Sequence, residues 1–345
     1  MKIAFVHNSL ATFVERDLRI LRERYEVEEV CCRGLTSLPG LFAAIFRCDM
    51  SFTWFASIHA FWTVLFSKIL GKKAVIVSGG YDAACVPELK YGLCCRWWKR
   101  WCPKFIFRLA DLVFCVSKYN MRETLTNARA PRTKTSLLYN AVETERFFPS
   151  DCPKRTEVVT VAGITNITYH KKGLSLFVQS ARLLPEIEFL LVGPEKDSAG
   201  ERLREEAPSN VLFVGARYGD ELSSILQDAK VYVQASVHES FGVAVAEAML
   251  CGCVPVVSRR AALPEVVGDC GFYLEDLTPE EVAAKIRLAL GSNLGAAARR
   301  RIIDHFPFEK RSDSLLAGIE RLRRKPRALR RGGGLTRGAT LTPAD

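Results

Sequence analysis

Metal-binding spacings are missing from this chain. Its five histidines and twelve cysteines fall into no Cys/His pattern that matches a zinc site. Residues 1–7 run straight into a strand-like segment with no apolar h-region of adequate length, so no signal peptide is expected. The cysteines include adjacent pairs (Cys31 with Cys32, Cys94 with Cys95) and singletons such as Cys115 and Cys270 on strand-like segments. They read as reduced, buried small hydrophobes of a cytoplasmic protein. Aromatic residues are absent from residues 321–345, where eight Arg or Lys stand against one Asp, so that +7 of the formal +11 lies there. A nucleic-acid-binding arm would interleave aromatics, and the body shows no nucleic-acid module. The tail is therefore expected to be solvated, drawn if anywhere to anionic lipid head groups.

Charge is also absent between Asp49 and Lys68. A run of that length approaches a membrane span, yet its Ser, Thr and His content and its fit to strand, loop and helix make it a buried core unit. Just beyond it, C-C-R-W-W-K-R-W-C-P-K (94–104) interleaves Trp97, Trp98 and Trp101 with four basic residues. Tryptophan beside lysine and arginine is the composition of a membrane interface. The alternative is a helix with its tryptophans packed inward.

What the chain has is regular alternation. Its 345 residues, 48% hydrophobic and 25% charged, suffice for two ordinary domains. Strands are expected at 2–7, 27–32, 50–55, 73–78, 112–117 and 135–139, then at 158–162, 187–192, 211–214, 231–235, 254–258 and 271–274. Helices are expected between them, among others at 12–25, 59–70, 173–184, 220–228 and 279–290. This is α/β chemistry: two doubly wound Rossmann-like domains facing a central cleft, with ligands at the carboxyl ends of the strands. The expected division is 1–150 and 151–307, with the polar stretch 148–155 as boundary, a helix at 308–325 returning to the first domain, and a basic, disordered tail at 326–345.

The densest stretch is E-S-F-G-V-A-V-A-E (239–247), continuing A-M-L-C-G-C-V-P-V-V-S to Ser258. Gly242 opens a helix and Gly252 closes it. Val243, Ala246, Glu247 and Leu250 share one face, so Glu247 sits on an apolar stripe where an unpartnered carboxylate is strongly disfavoured. A carboxylate held for a ligand fits that position better than a solvated one.

This arrangement resembles the E-x7-E signature of retaining glycosyltransferases of the GT-B architecture, most closely glycosyltransferase family 4. The resemblance implies that Glu239 contacts hydroxyls of a donor sugar and that Glu247 binds the ribose of its nucleotide, a carboxylate being suited to a vicinal diol. Amides of Phe241, Gly242 and Val243, at the helix N-terminus, would receive a diphosphate. Lys172, in a Lys-Gly pair after the first strand of the second domain, would pair with the same phosphates. The family's arginine after the strand glycine is missing, since Gly163 is followed by Ile164, Thr165 and Asn166; His170 or Lys171 would have to stand in. L-Y-N-A-V-E-T-E-R-F-F-P (138–149) is similar to the family's N-G-V-D-x-x-R-F-x-P connection. The first strand leads to His7 and Asn8 in place of a Gly-rich loop. The fourth gives Ser78, Gly79, Gly80, Tyr81 and Asp82, either a turn or a set of acceptor contacts. His238, beside Glu239, reads as a loop residue.

No Asp-x-Asp pair occurs anywhere, so a metal-bridged diphosphate is not expected, and no cofactor beyond the sugar nucleotide. The expected activity is metal-independent retaining transfer from a UDP- or GDP-linked sugar to a hydroxyl of a sugar, glycan or glycolipid. A peripheral place on the inner face of the membrane would suit such acceptors, and no nucleic-acid partner is expected. Two alternatives stay open: a GT-B epimerase or hydrolase of sugar nucleotides, and a non-catalytic binding protein on a transferase fold.

Overall fold

Alternating burial shows how the first sheet is built. In the computed structural model, which describes residues 1–150, 154 and 156–324, Ile3 and Phe5 of the first strand enter one core while Ala4 and Val6 enter another. Both faces of that strand are covered, as the two-residue period of a parallel strand between helix layers requires. Every assigned strand pair is parallel.

The first half runs β1 (Lys2–His7), α1 (Thr12–Arg24), β2 (Glu26–Cys31), α2 (Leu38–Arg47), β3 (Met50–Trp54) and α3 (Ile58–Ile69). It continues with β4 (Lys73–Ser78), α4 (Trp101–Leu109), β5 (Leu112–Cys115), α5 (Lys118–Thr126) and β6 (Thr135–Leu137). The second half begins β7 (Thr156–Val161), α6 (Asn166–Lys171), α7 (Leu174–Ala181), β8 (Phe189–Val192), α8 (Ala199–Glu206), β9 (Val211–Gly215) and α9 (Gly219–Asp228). Then come β10 (Ala229–Gln234), α10 (Val243–Leu250), β11 (Val254–Ser258), α11 (Leu263–Val267) and β12 (Phe272–Leu274). Three helices close the described chain: α12 (Pro279–Leu290), α13 (Gly295–His305) and α14 (Phe308–Arg324).

The sheets are ordered β2-β1-β3-β4-β5-β6 and β12-β11-β10-β7-β8-β9. In the second, strand order reverses between β7 and β10. The crevice beyond their carboxyl ends is where ligands of doubly wound sheets bind. All twelve expected strands exist, several shortened by one or two residues at their ends. The charge-free run becomes β3 and α3, and among the described residues no helix is long and apolar enough to cross a membrane. Residues 151–153 and 155 of the expected boundary and the whole 326–345 tail lie outside the described residues.

One core runs through both halves, joining Phe5, Phe52 and Phe114 of the first sheet to Phe241, Leu250 and Phe306 of the second half. Helix α14 seals it. Arg311 is buried and donates to both carboxylate oxygens of Asp17 on α1, at 2.7 and 2.8 Å, and to the carbonyls of Leu138 and Tyr139. Trp54 Nε1 completes the shell of Asp17 at 3.0 Å. Gly318 is required there, because a Cβ would lie 2.5 Å from the Phe114 ring.

The cysteine expectation needs one correction. The eleven described cysteines are all free, but Cys31 is exposed, and Cys85, Cys95, Cys102 and Cys270 are half-buried. Cys31 ends the edge strand β2, which has one neighbour only.

Candidate donor-binding cleft

Two loop-to-helix junctions and the connection between the halves meet at the cleft. They surround a cavity of about 230 Å³ lined by Gly79, Tyr91, Asn140, Lys171, Lys172, Glu239 and the 240–244 backbone among others. The junction after β7 supplies the lysines. Helix α6 opens with a capping box, Thr165 accepting from the Thr168 amide, and stops at Lys172. Gly173 follows with φ of +69°, and a Cβ there would meet the Ala235 carbonyl at 2.4 Å. Glycine alone lets α6 turn into α7 while Lys172 faces the cleft. Gly173→Ala is therefore expected to lower stability by at least about 1–2 kcal/mol from backbone strain alone. A thermal melt that matches the parent would show that the turn has another solution.

The junction after β10 supplies the acid. Glu239 Oε2 accepts from Lys172 Nζ and, at 2.9 Å, from Gln234 Nε2, whose own Oε1 is held by Tyr232 OH at 3.0 Å. Burial alone would push the Glu239 carboxyl up, but the ammonium groups of Lys172 and Lys171 outweigh it and hold the group below its usual range. Lys171 Nζ lies 4.3 Å from the centre of the Tyr91 ring, and burial lowers its pKa against the opposing pull of Glu239. Gly242 caps α10 with φ of +100°, so the first amides of that helix open on the cavity wall. Phe241 turns its ring into the core against Phe306, leaving only its backbone to the cleft.

The connection from β6 through residues 138–149 contributes Asn140. Its side chain is buried and its Oδ1 has no hydrogen-bond partner among the described residues. Such an atom in a cavity wall is an acceptor waiting for a donor.

Glu247 is not unpartnered, which corrects the sequence reading. Its Oε1 accepts from Arg16 of α1 at 3.0 Å, and Arg16 also donates to the Ala141 carbonyl at 2.9 Å. Burial pushes the Glu247 carboxyl up, and Arg16 offsets part of that rise. The first-domain candidates divide. Asp82 is buried and consumed by its own loop, accepting from Ala56, Gly80 and Ala83 amides at 2.9–3.1 Å and from Ser78 Oγ at 3.2 Å. Burial pushes its pKa up in spite of these donors. It fixes the turn and has little left for a ligand hydroxyl. Gly79 lines the cavity, pressed against Phe55, and Gly80 abuts Ser240, where a Cβ would lie 1.7 Å from Oγ. Tyr81 is 46% exposed and packs on Tyr91. Asn8 is exposed, and it and His170 stand outside the lining of the cavity.

His238 is a loop residue but not a solvated one. It is buried, its Nε2 lies 3.1 Å from both carboxylate oxygens of Glu123 on α5, and Tyr91 and Tyr119 flank its ring. Glu265 of α11 similarly receives the amides of Lys118 and Tyr119 at the start of α5. These contacts and Arg16–Glu247 hold the two halves closed on the cleft.

Comparison with known proteins agrees with this construction. Residues 156–292 match the family model described as glycosyl transferases group 1. The chain is 28% identical over 193 residues to a phosphatidylinositol N-acetylglucosaminyltransferase component from Arabidopsis thaliana, a match covering 53% of this chain and 43% of that one. It is 28% identical over 250 residues to MMP alpha-(1->4)-mannosyltransferase of Mycolicibacterium hassiacum, covering 66% and 60%. The matched region thus spans about half the length of these curated relatives. Among solved structures, HepE of Anabaena in complex with UDP and glucose superposes with a TM-score of 0.77 at 16% identity, covering 93% of this chain and 100% of that one. Sucrose-phosphate synthase of Thermosynechococcus elongatus gives 0.76 at 16%, covering 93% and 99%. The chain has the GT-B fold of these solved structures, and residues 156–292 are similar to the glycosyl transferases group 1 family.

Proposed function

We propose that the protein transfers a sugar, with retention of configuration and without a metal, from a UDP- or GDP-linked donor to a hydroxyl of a sugar, glycan or lipid-linked acceptor. The observation that carries this reading is the convergence of Lys171, Lys172, Glu239 and the start of α10 on one cavity between the sheets. A diphosphate there would meet two ammonium groups and the positive end of a helix. The second lysine answers the missing arginine: Lys171, not His170, shares the cavity with Lys172.

In this reading Glu239, oriented by Gln234 and Lys172, accepts from hydroxyls of the donor sugar. Glu247 takes the ribose diol in exchange for Arg16. As the glycosidic bond breaks, negative charge grows on the leaving diphosphate, where Lys172 follows it as a mobile point charge. The incoming hydroxyl approaches on the same face and gives its proton to that diphosphate. Asn140 Oδ1 would accept from a hydroxyl of either substrate. The names of relatives support an acceptor range that includes lipids, since one is a phosphatidylinositol N-acetylglucosaminyltransferase and another a mannosyltransferase.

A thermal-shift screen against UDP-, GDP- and ADP-sugars tests the donor class, followed by NMR of the anomeric proton in the product. One donor should raise the melting temperature, and hydrolysis of that donor without acceptor should persist in EDTA. Absence of any nucleotide-dependent shift would leave the non-catalytic reading in place. Epimerised donor without transfer would favour the epimerase.

A further inference from the structure

The helices covering one face of the first sheet carry an uninterrupted string of aromatic rings at the surface. Phe42 of α2 meets Phe66 of α3 edge-on at 5.2 Å, Phe66 lies 5.8 Å from Trp62, and Trp62 lies 5.3 Å from Phe61. Phe61 then contacts Trp101 and Phe105 of α4 at 5.7 and 5.2 Å. Around this string stand Phe46, Ile58 and Ile69, each at least 60% exposed. Trp97 and Trp98 follow in the turn leading into α4, exposed at 76% and 53% and packed edge-on against each other. The tryptophans of the 94–104 run therefore do not pack inward. Single exposed apolar residues are ordinary, but rings linked across three helices are not.

The charge around these rings is predominantly basic, although Arg47 and Lys68 are paired with Glu28 and Asp111. Residues 33–110 contain eleven Lys or Arg and three Asp or Glu. Of the three acids, Asp82 is buried, Asp49 accepts from the Lys2 amide at 2.8 Å, and Glu88 is exposed. Arg96 and Lys99 are exposed within the tryptophan turn itself. Indole rings with basic neighbours prefer the head-group layer, where the ring body is dehydrated and the cation meets lipid phosphate.

We propose that this α2–α3–α4 face docks on an anionic lipid bilayer. Adsorption and not spanning is the mode, because the rings lie across three helices flat on a sheet. The placement serves the cleft. Tyr91, shortly before Trp97 in the same β4–α4 connection, lines the cavity beside Lys171. A lipid-linked acceptor held at the face would have its head group near the donor. The docking itself rests on the rings and charges alone and stands whether or not the donor assignment holds.

The chain carries its own reporter. Four of its five tryptophans, Trp62, Trp97, Trp98 and Trp101, belong to this face, and the fifth, Trp54, is buried in the core. The full-length protein is mixed with vesicles of dioleoyl phosphatidylcholine, alone or with equal phosphatidylglycerol, with and without brominated acyl chains. Bound protein should appear on the anionic vesicles only, with blue-shifted emission that bromine quenches. Arg96→Gln with Lys99→Gln should weaken partition about thirtyfold. Phe46→Ser with Trp98→Ser should also weaken it, whereas Leu212→Ser and Leu288→Ser, likewise exposed apolar residues of the second half, should not. Circular dichroism and melting temperature check that each variant is folded. Binding without bromine quenching would place the contact elsewhere on the chain and overturn the proposal, as would absence of binding. Concentration-dependent dimerisation abolished by Phe46→Ser with Trp98→Ser, in a protein that ignores vesicles, would assign the face to a second copy instead.

Discussion

Replacement of Glu247 by alanine is expected to abolish nucleotide binding and to lower folding stability by about 3–5 kcal/mol. The binding loss follows from the ribose, whose two hydroxyls lose a common acceptor. The stability loss follows from Arg16. That side chain is buried, 5% exposed, and its guanidinium spans Glu247 Oε1 and the Ala141 carbonyl. Removing the carboxylate strands a charge that cannot be neutralised at any ordinary pH, since arginine stays protonated. The sequence alone pointed the other way, because a lone buried glutamate on an apolar helix face is a cost that alanine would relieve. Arg16→Met with Glu247→Leu separates the two effects: the apolar pair should recover most of the stability and none of the nucleotide binding. Urea unfolding and calorimetric titration with UDP and GDP read the two quantities. Undiminished nucleotide affinity in Glu247→Ala would defeat the ribose assignment, and an unchanged unfolding midpoint would mean that Arg16 and Glu247 do not pair in solution.

The contrast shows what the linear sequence could carry. All twelve strands and the α14 boundaries were legible because apolar runs bounded by glycine, proline and charge report local burial. Helices α2, α4 and α8 were expected between the strands but without bounds, being short or interrupted, as with the proline at the start of α2. At the cavity, Glu239 and the Gly242 turn were singled out from one contiguous pattern, and Lys172 from a separate Lys-Gly pair. Arg16 was not: it is one of several charges on an amphipathic helix, and its partner lies 231 residues away. Glu123, the partner of His238, was hidden for the same reason. Gln234 left a signal, a polar residue ending the apolar strand V-Y-V-Q, where a fully buried amide needs specific partners. Asp82 stayed open between two readings because an acid after two glycines looks the same whether it caps its own turn or awaits a ligand. Only the count of amides around it decides.

Lys172→Ala should depress turnover more than donor affinity. Ground-state diphosphate already carries its charge and retains Lys171 and the α10 amides, whereas the additional charge of the departing group loses its nearest mobile cation. One charge-assisted contact is worth roughly 1.5–3 kcal/mol, which is about tenfold to a hundredfold in kcat. The same substitution has a second consequence. Lys172 is the strongest of the influences that hold the Glu239 carboxyl low against burial. Without it the carboxyl titrates at higher pH, so any stability it adds when ionised persists over less of the acid range, and the acid limb of the pH–rate profile moves up. A residue that merely packed the cavity would lower the rate without moving that limb. Lys172→Arg should keep the limb near its original place while restoring only part of kcat, because a planar guanidinium cannot follow the charge as a compact ammonium does. Steady-state rates from the acid limb to neutral pH on the parent and both variants decide it. A parent-like kcat in Lys172→Ala would transfer the phosphate role to Lys171, where the corresponding alanine variant should then show the larger loss.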